Sequence, residues 1–191
     1  MTNKSFNIYL SGVGGQGIGL ISETILRALD HAGKNAIGVD THGLAQRGGI
    51  VASQIRFGTS VHSPVVSKHS ADIVISLERS EALRAASDYL KPGGTLVYYD
   101  TCWQPLSVRL GSAKEITGEQ IQNYCNKNSF KLIRVHSDNL PDPRMQNMSL
   151  LSAISHNNLI SGVSGEHYEK AMSDLMPLAI FESNLKVFRG Q

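Results

Sequence analysis

Three glycines, Gly12, Gly14 and Gly17, stand in the spacing G-x-G-x-x-G within Ser11-Gly12-Val13-Gly14-Gly15-Gln16-Gly17. In that spacing one glycine makes a tight turn, one lets a phosphate approach the backbone, and one lets helix and strand pack closely. An apolar run, Phe6-Asn7-Ile8-Tyr9-Leu10, precedes the glycines, and a run of helical periodicity, Ile18 to Leu29, follows them. The order strand, glycine turn, helix points the free N–H groups of the helix start at an anion. Asp40 ends a second strand, about twenty residues past the glycines, where a dinucleotide site holds the acid that binds a ribose hydroxyl. On this spacing, Gly12, Gly14, Gly17 and Asp40 fit a self-sufficient Rossmann oxidoreductase binding NAD or FAD. No later residue set, however, presents an obvious acid or base for hydride transfer.

A second glycine-punctuated stretch, Thr41-His42-Gly43-Leu44-Ala45-Gln46-Arg47-Gly48-Gly49, reads as a functional loop. Arg47 among glycines can offer a fork of donors to phosphate or carboxylate with little obstruction. It can equally bond loop carbonyls or touch another subunit, and His42 reads as a loop histidine rather than a catalyst. His62 and His69 lack partners at ligand spacing on a helix, so they do not suggest a metal. There is no G-x-S-x-G elbow, and no lysine of the Walker type follows the first glycines.

These residues need a scaffold, and the rest of the chain supplies its outline. Gly33 caps the first helix, and Asn35–Asp40 reads as the second strand of a parallel βαβ unit. Ile50–Phe57, Ala71–Leu77, Thr95–Asp100 and Phe130–Val135 read as further strands. Val61–Lys68, which contains Pro64, reads as a connection or edge strand. Helices are expected over Glu81–Leu90 with Ser80 as N-cap, over Thr117–Lys127, over Asn147–Ile160 and over Glu166–Val187. Pro92-Gly93-Gly94 is expected to end the Ser80 helix unit, and Asp138–Pro143 to break the chain. Strands alternating with helices predict a Rossmann-like α/β fold with a doubly wound, mostly parallel sheet. The 191 residues read as a single domain.

Composition removes other classes. Hydrophobic residues make up 41% and charged residues 18%, as in an ordinary globular protein, and the net charge of +2 is scattered rather than blocked. Nucleic-acid binding is not implied, and aromatic content of 6% leaves little for base stacking. No apolar run reaches membrane-spanning length and no signal core follows Met1, so a cytoplasmic location is expected. Cys102 and Cys125 form no C-x-x-C pair, which argues against a zinc site or iron–sulfur cluster held by this chain and suits free thiols in a reducing compartment.

Taken together, Gly12-Val13-Gly14-Gly15-Gln16-Gly17 and His42-Gly43-Leu44-Ala45-Gln46-Arg47-Gly48-Gly49 resemble the gamma subunit family of 2-oxoacid:ferredoxin oxidoreductases. The resemblance continues through Asp72-Ile73-Val74-Ile75-Ser76, Leu90-Lys91-Pro92-Gly93-Gly94-Thr95-Leu96, Asn147-Met148 with Leu151 and Ala153, and Asn184-Leu185-Lys186-Val187-Phe188-Arg189-Gly190. The second loop is most similar to the form found in the indolepyruvate oxidoreductase beta subunit. The stretch from Cys102 to Lys131 shows no clear motif of the family.

The resemblance implies a complex that decarboxylates a 2-oxoacid, passes electrons to ferredoxin or a similar acceptor and, in most members, forms an acyl-CoA. It implies that thiamine diphosphate, magnesium and iron–sulfur clusters sit in partner subunits, and that this chain is inactive alone. It also implies that Gly12, Gly14, Gly15, Gln16 and Gly17, with Gly43, Gln46, Arg47, Gly48 and Gly49, face CoA phosphates or a partner subunit.

Overall fold

The computed structural model describes residues 5–42, 49–103 and 114–191. Six strands form one sheet: β1 (Phe6–Val13), β2 (Ala36–His42), β3 (Ile50–Phe57), β4 (Ala71–Ser76), β5 (Leu90–Tyr99) and β6 (Lys131–Val135), in the spatial order β2-β3-β1-β4-β5-β6. The helices among the described residues are α1 (Ile18–His31), α2 (Arg79–Tyr89), α3 (Gly118–Lys127), α4 (Gln146–His156), α5 (Gly165–Leu175) and α6 (Leu178–Arg189), with a 3-10 turn at Pro143–Met145.

β1, β4, β5 and β6 run parallel, and β3 is antiparallel to both of its neighbours. The mostly parallel α/β sheet expected from the sequence is therefore present, with one correction. β2 points the same way as β1 but does not pair with it, because β3 slots between them. The cause is the short link, residues 43–49, since a parallel crossover takes roughly a dozen residues or more.

Alternation along the strands builds two cores. Ile8 and Leu10 of β1, Ile55 of β3, Ile73 and Ile75 of β4 and Val97 of β5 face one side. There they meet Ile18, Ile21, Ile25 and Leu29, spaced along one stripe of α1, together with the apolar faces of α4, α5 and α6. On the other side Tyr9, Val74, Leu96 and Tyr98 pack under Ala82, Ala85 and Ala86 of α2 and under Ile121 and Cys125 of α3. Tyr9 stacks on Tyr89 with ring centroids 3.7 Å apart. The small alanines bring α2 close enough to β4 and β5 for this layer to be thin.

Several boundaries differ from the sequence expectation. Helix α2 begins at Arg79 and is capped by Glu78, not Ser80: the Glu78 carboxylate folds back to accept the N–H groups of Ser80 (3.0 Å) and Glu81. Pro92-Gly93-Gly94 lies within β5, which pairs with Ala71 from Leu90 onward and shifts register before Ile73. The segment 61–68 is a connection and not an edge strand, with Val66 N–H bound to Gln54 Oε1 at 2.7 Å and the Ser63 carbonyl accepting from Arg56 at 3.0 Å. The helix expected over Asn147–Ile160 stops at His156, where Asn157 caps it and Asn158 turns left-handed (φ 48°). That expected over Glu166–Val187 is two helices, divided at Pro177, whose ring cannot continue α5 but suits the start of α6.

Thr117 does cap α3, through a reciprocal pair in which Thr117 Oγ1 accepts Gln120 N–H (3.2 Å) and Gln120 Oε1 accepts Thr117 N–H (2.9 Å). Gly33 takes the left-handed conformation expected after α1 (φ 67°). Cys102 and Cys125 are both free thiols.

Candidate functional site

The connection leaving β1 leads toward β2 on one side of the sheet, and that leaving β4 leads toward β5 on the other. The direction reverses at the carboxyl ends of β1 and β4, the usual ligand position in such sheets. Three segments meet there: the Gly14–Gly17 turn, the Leu77–Glu78 turn, and the first turn of α4.

Each glycine of the first loop has its own physical reason. Gly12 is still within β1, opposite Val51, and a Cβ there would lie 2.9 Å from both Gln16 Oε1 and Ile18 Cδ1, so its bareness lets α1 close onto the strand. Gly14 donates its N–H to the carbonyl of Gly49 at 2.9 Å. Gly15 has φ 102° and nothing within 4 Å of the space a Cβ would fill. Gly17 is the N-cap of α1 at φ 84°, and a Cβ would meet Asn147 Nδ2 at 2.7 Å. Left-handed geometry at Gly15 and Gly17 excludes ordinary side chains. No side chain caps the start of α1, so its first amides have no side-chain acceptor there.

Gln16 behaves differently from the glycines around it. It is 2% exposed, and its carboxamide accepts from Val13 N–H (2.8 Å) and donates to the Leu77 carbonyl (3.0 Å). It therefore clamps the turn to the end of β4. Asn147, buried at the start of α4, accepts the N–H of Met148 through Oδ1 (2.8 Å) and lays its amide against Gly17. Its amide at Gly17 places Asn147 at the turn.

Of the second loop, Gly43, Gln46, Arg47 and Gly48 lie outside the described residues. Its two ends are described. His42 closes β2 opposite Val51, and Gly49 leads into β3 and carries the carbonyl that holds Gly14. The ends thus emerge at the same end of the sheet as the first loop.

Asp40 lies on β2, exposed, with Oδ1 receiving the hydroxyl of Ser22 at 3.2 Å. With β3 interposed it stands two strand spacings, roughly 10 Å, from β1. A dinucleotide fold has β2 beside β1, and leaves the turn amides free for pyrophosphate. Here β3 occupies the neighbouring place and Gly49 engages the Gly14 amide, so the arrangement of Gly12, Gly14, Gly17 and Asp40 departs from an NAD or FAD site.

A charged cluster that sequence inspection did not find sits at the ends of β4, β5 and β6. Asp100, 4% exposed, accepts from Arg79 Nε (2.5 Å) and Arg134 Nε (2.6 Å), and Arg79 also reaches Glu115 (3.1 Å). Burial pushes the Asp100 carboxyl upward, but the two guanidiniums outweigh it and hold the group below its ordinary range. Glu78 is pushed upward by burial against the opposing pull of the Glu81 and Ser80 amides. The Cys102 thiol is pushed up to about 11, by burial first and then by Glu115, which keeps it protonated and a poor nucleophile. Residues 79, 100 and 134 are far apart in the chain, and only the sheet order brings them together. Among the described residues no group of three or more His, Cys, Asp or Glu side chains is gathered as for a metal ion.

A glycine turn at the reversal point of a mostly parallel sheet, tied through Gly49 to the end of a second glycine loop, defines an α/β domain with two joined loops. Residues 7–190 match the family described as pyruvate ferredoxin/flavodoxin oxidoreductase, and the chain belongs to that family. It is 34% identical over 193 residues to indolepyruvate oxidoreductase subunit IorB of Archaeoglobus fulgidus, covering 96% of this chain and 92% of that one. Its fold matches the keto/oxoacid ferredoxin oxidoreductase gamma subunit of Geobacter sulfurreducens, with a TM-score of 0.65, 22% identity, and 96% and 94% of the two chains covered. It also matches part of 2-oxoglutarate:ferredoxin oxidoreductase from Magnetococcus marinus, a structure with 2-oxoglutarate, coenzyme A and succinyl-CoA bound, with a TM-score of 0.68, 20% identity, and 98% of this chain against 30% of that one. The oxidoreductase family and the α/β fold expected from the two loops are both present. Among the described residues no helix is long and apolar enough to cross a membrane.

Proposed function

We propose that this chain is the subunit without thiamine diphosphate of a cytoplasmic 2-oxoacid:ferredoxin oxidoreductase of the indolepyruvate or aryl-pyruvate type, and that its two glycine loops form one surface for the phosphates of CoA at a subunit interface. The observation that carries the reading is the bond from Gly14 N–H to Gly49 carbonyl, which joins the open Gly15 turn to the end of the loop containing Arg47.

The residues suit an anionic group. Gly15 leaves room for close backbone approach, no side-chain cap competes for the first amides of α1, and Gln46, Arg47 and Gly48 of the second loop would add donors. CoA, when bound, supplies the thiol that accepts the acyl group. This chain's part is to hold the phosphates, to orient the pantetheine arm and to join the partner. Thiamine diphosphate, magnesium and iron–sulfur clusters belong to the partner subunits, since Cys102 and Cys125 are single thiols, and the isolated chain is inactive. Electrons leave to ferredoxin or a similar acceptor through those partners.

Co-expression with the products of neighbouring genes tests this. The expected result is a complex containing this chain, thiamine diphosphate and iron–sulfur clusters, active on an aryl-pyruvate. Absence of any such complex, or tight binding of NAD or FAD by the purified chain alone, would overturn it.

A further inference from the structure

The two edges of the sheet are built differently. β6 carries Lys131 and Arg134, charges of the kind that protect an edge from pairing. β2 reads Ala36-Ile37-Gly38-Val39-Asp40-Thr41-His42, with no lysine, arginine or proline, and its register to β3 runs without a bulge. The carbonyl of Asn35 accepts Gly58 N–H (3.4 Å), which makes 35 and 58 a directly bonded pair. By the alternation of an antiparallel ladder, Ala36, Gly38 and Asp40 then turn their amides and carbonyls outward. No described strand takes them up.

A groove of about 550 Å³ runs beside this edge, lined by Glu23, Leu26, Arg27 and Asp30 of α1, by Ile37 and Gly38, and by Leu175. Leu26 and Leu175 give it apolar walls, and Leu26 lies against Gly38, where a Cβ would stand 2.7 Å from its Cδ1 and push the leucine aside. Its one lining cation, Arg27, is already engaged, with Asp30 (3.6 Å) and Asp174 (3.7 Å). Glu23 makes no ion pair among the described residues, and Asp40 has only the Ser22 hydroxyl. Glu23 and Asp30 in the lining, with Asp40 further along β2, make this side of the edge acidic.

We infer that β2 receives an extended segment of a partner subunit by strand addition, with an apolar side chain of that segment entering the Leu26–Leu175 groove and a lysine or arginine facing Glu23 and Asp40. This rests on the reading of the chain as one subunit of a heteromeric complex. Main-chain bonds to Ala36, Gly38 and Asp40 supply the attachment, and the acidic side of the edge supplies the choice of partner.

Hydrogen–deuterium exchange on peptides spanning residues 35–42 tests the inference, comparing the free chain with the co-purified complex. The expected result is at least roughly tenfold slower exchange in the complex, with no concentration dependence in the free chain. The double variant Glu23→Lys, Asp40→Lys should weaken association roughly tenfold at low salt, while the circular dichroism of the free chain stays unchanged. A complex that forms with its cofactors yet leaves exchange at 35–42 unchanged would overturn strand addition and leave the subunit reading intact. Protection that grows with concentration of the free chain would replace the partner with a second copy. Failure to form any complex would overturn both.

Discussion

The amide of Gly14 and the carbonyl of Gly49 meet at 2.9 Å, so the turn after β1 and the residue that opens β3 are one unit. The insertion of β3 beside β1 is what makes the contact available. In a sheet with β2 next to β1, the loop ending at Gly49 would emerge one strand further away. The antiparallel strand therefore serves the site directly, by bringing the second loop's end to the first.

Gly17→Ala tests the backbone at the helix start. At φ 84° an alanine is strained, and its Cβ would press the Asn147 amide. The expected loss is about 1–2 kcal/mol, read by urea unfolding, and the companion change Asn147→Gly should return only the part due to contact. Unchanged stability for Gly17→Ala would mean that the turn relaxes at no cost.

Gln16→Leu separates clamping from ligand binding. The variant leaves Val13 N–H and the Leu77 carbonyl without their partner in a buried place, a loss of about 2–3 kcal/mol by the desolvation cost of two orphaned groups. Thermal melting of the free chain should show it. If the variant instead melted as the wild type does, the clamp would be dispensable.

Asp100→Asn tests the arginine-flanked carboxylate. Because the folded-state value is lowered, the stability it contributes is present above the unfolded-state value of about 3.9 and is lost as pH falls through the folded one. Arg79 is mostly buried but the Arg134 side chain is 60% exposed, so the expected destabilisation at pH 7 is a moderate one of about 1–3 kcal/mol. Urea melts at pH 7 and at pH 3 should show the gap between wild type and variant narrowing in acid. A gap that stays constant would assign the effect to packing rather than charge.

The sequence carried the local pieces well, because each has a local cause. The α1 stripe is visible in the spacing of Ile18, Ile21, Ile25 and Leu29, and Thr117 is the type of residue that caps a helix start. The parallel pairing of β2 with β1 was expected from the strand-helix-strand order alone, whereas the brevity of the 43–49 link already required an antiparallel return. Pro177 is a plain break in the final helical run, masked by apolar residues on both sides. Glu78 was passed over because Ser80 is the commoner cap residue and a glutamate reaching two amides is a matter of burial. The Asp100 cluster could not be read at all: its partners, Arg79 and Arg134, become neighbours only through the order β4-β5-β6. In the first loop, residue type revealed the glycines, but not that Gln16 turns inward while Gly15 stays open.

The central claim concerns the surface made by the two loops, and the CoA dependence of the assembled complex tests it most directly. Arg47→Ala, assembled with its partners, should raise the KM for CoA about tenfold, the equivalent of losing one charge-assisted bond of roughly 1.4 kcal/mol, with assembly and KM for the 2-oxoacid unchanged. An assembled Arg47→Ala complex with the wild-type KM for CoA would contradict the account.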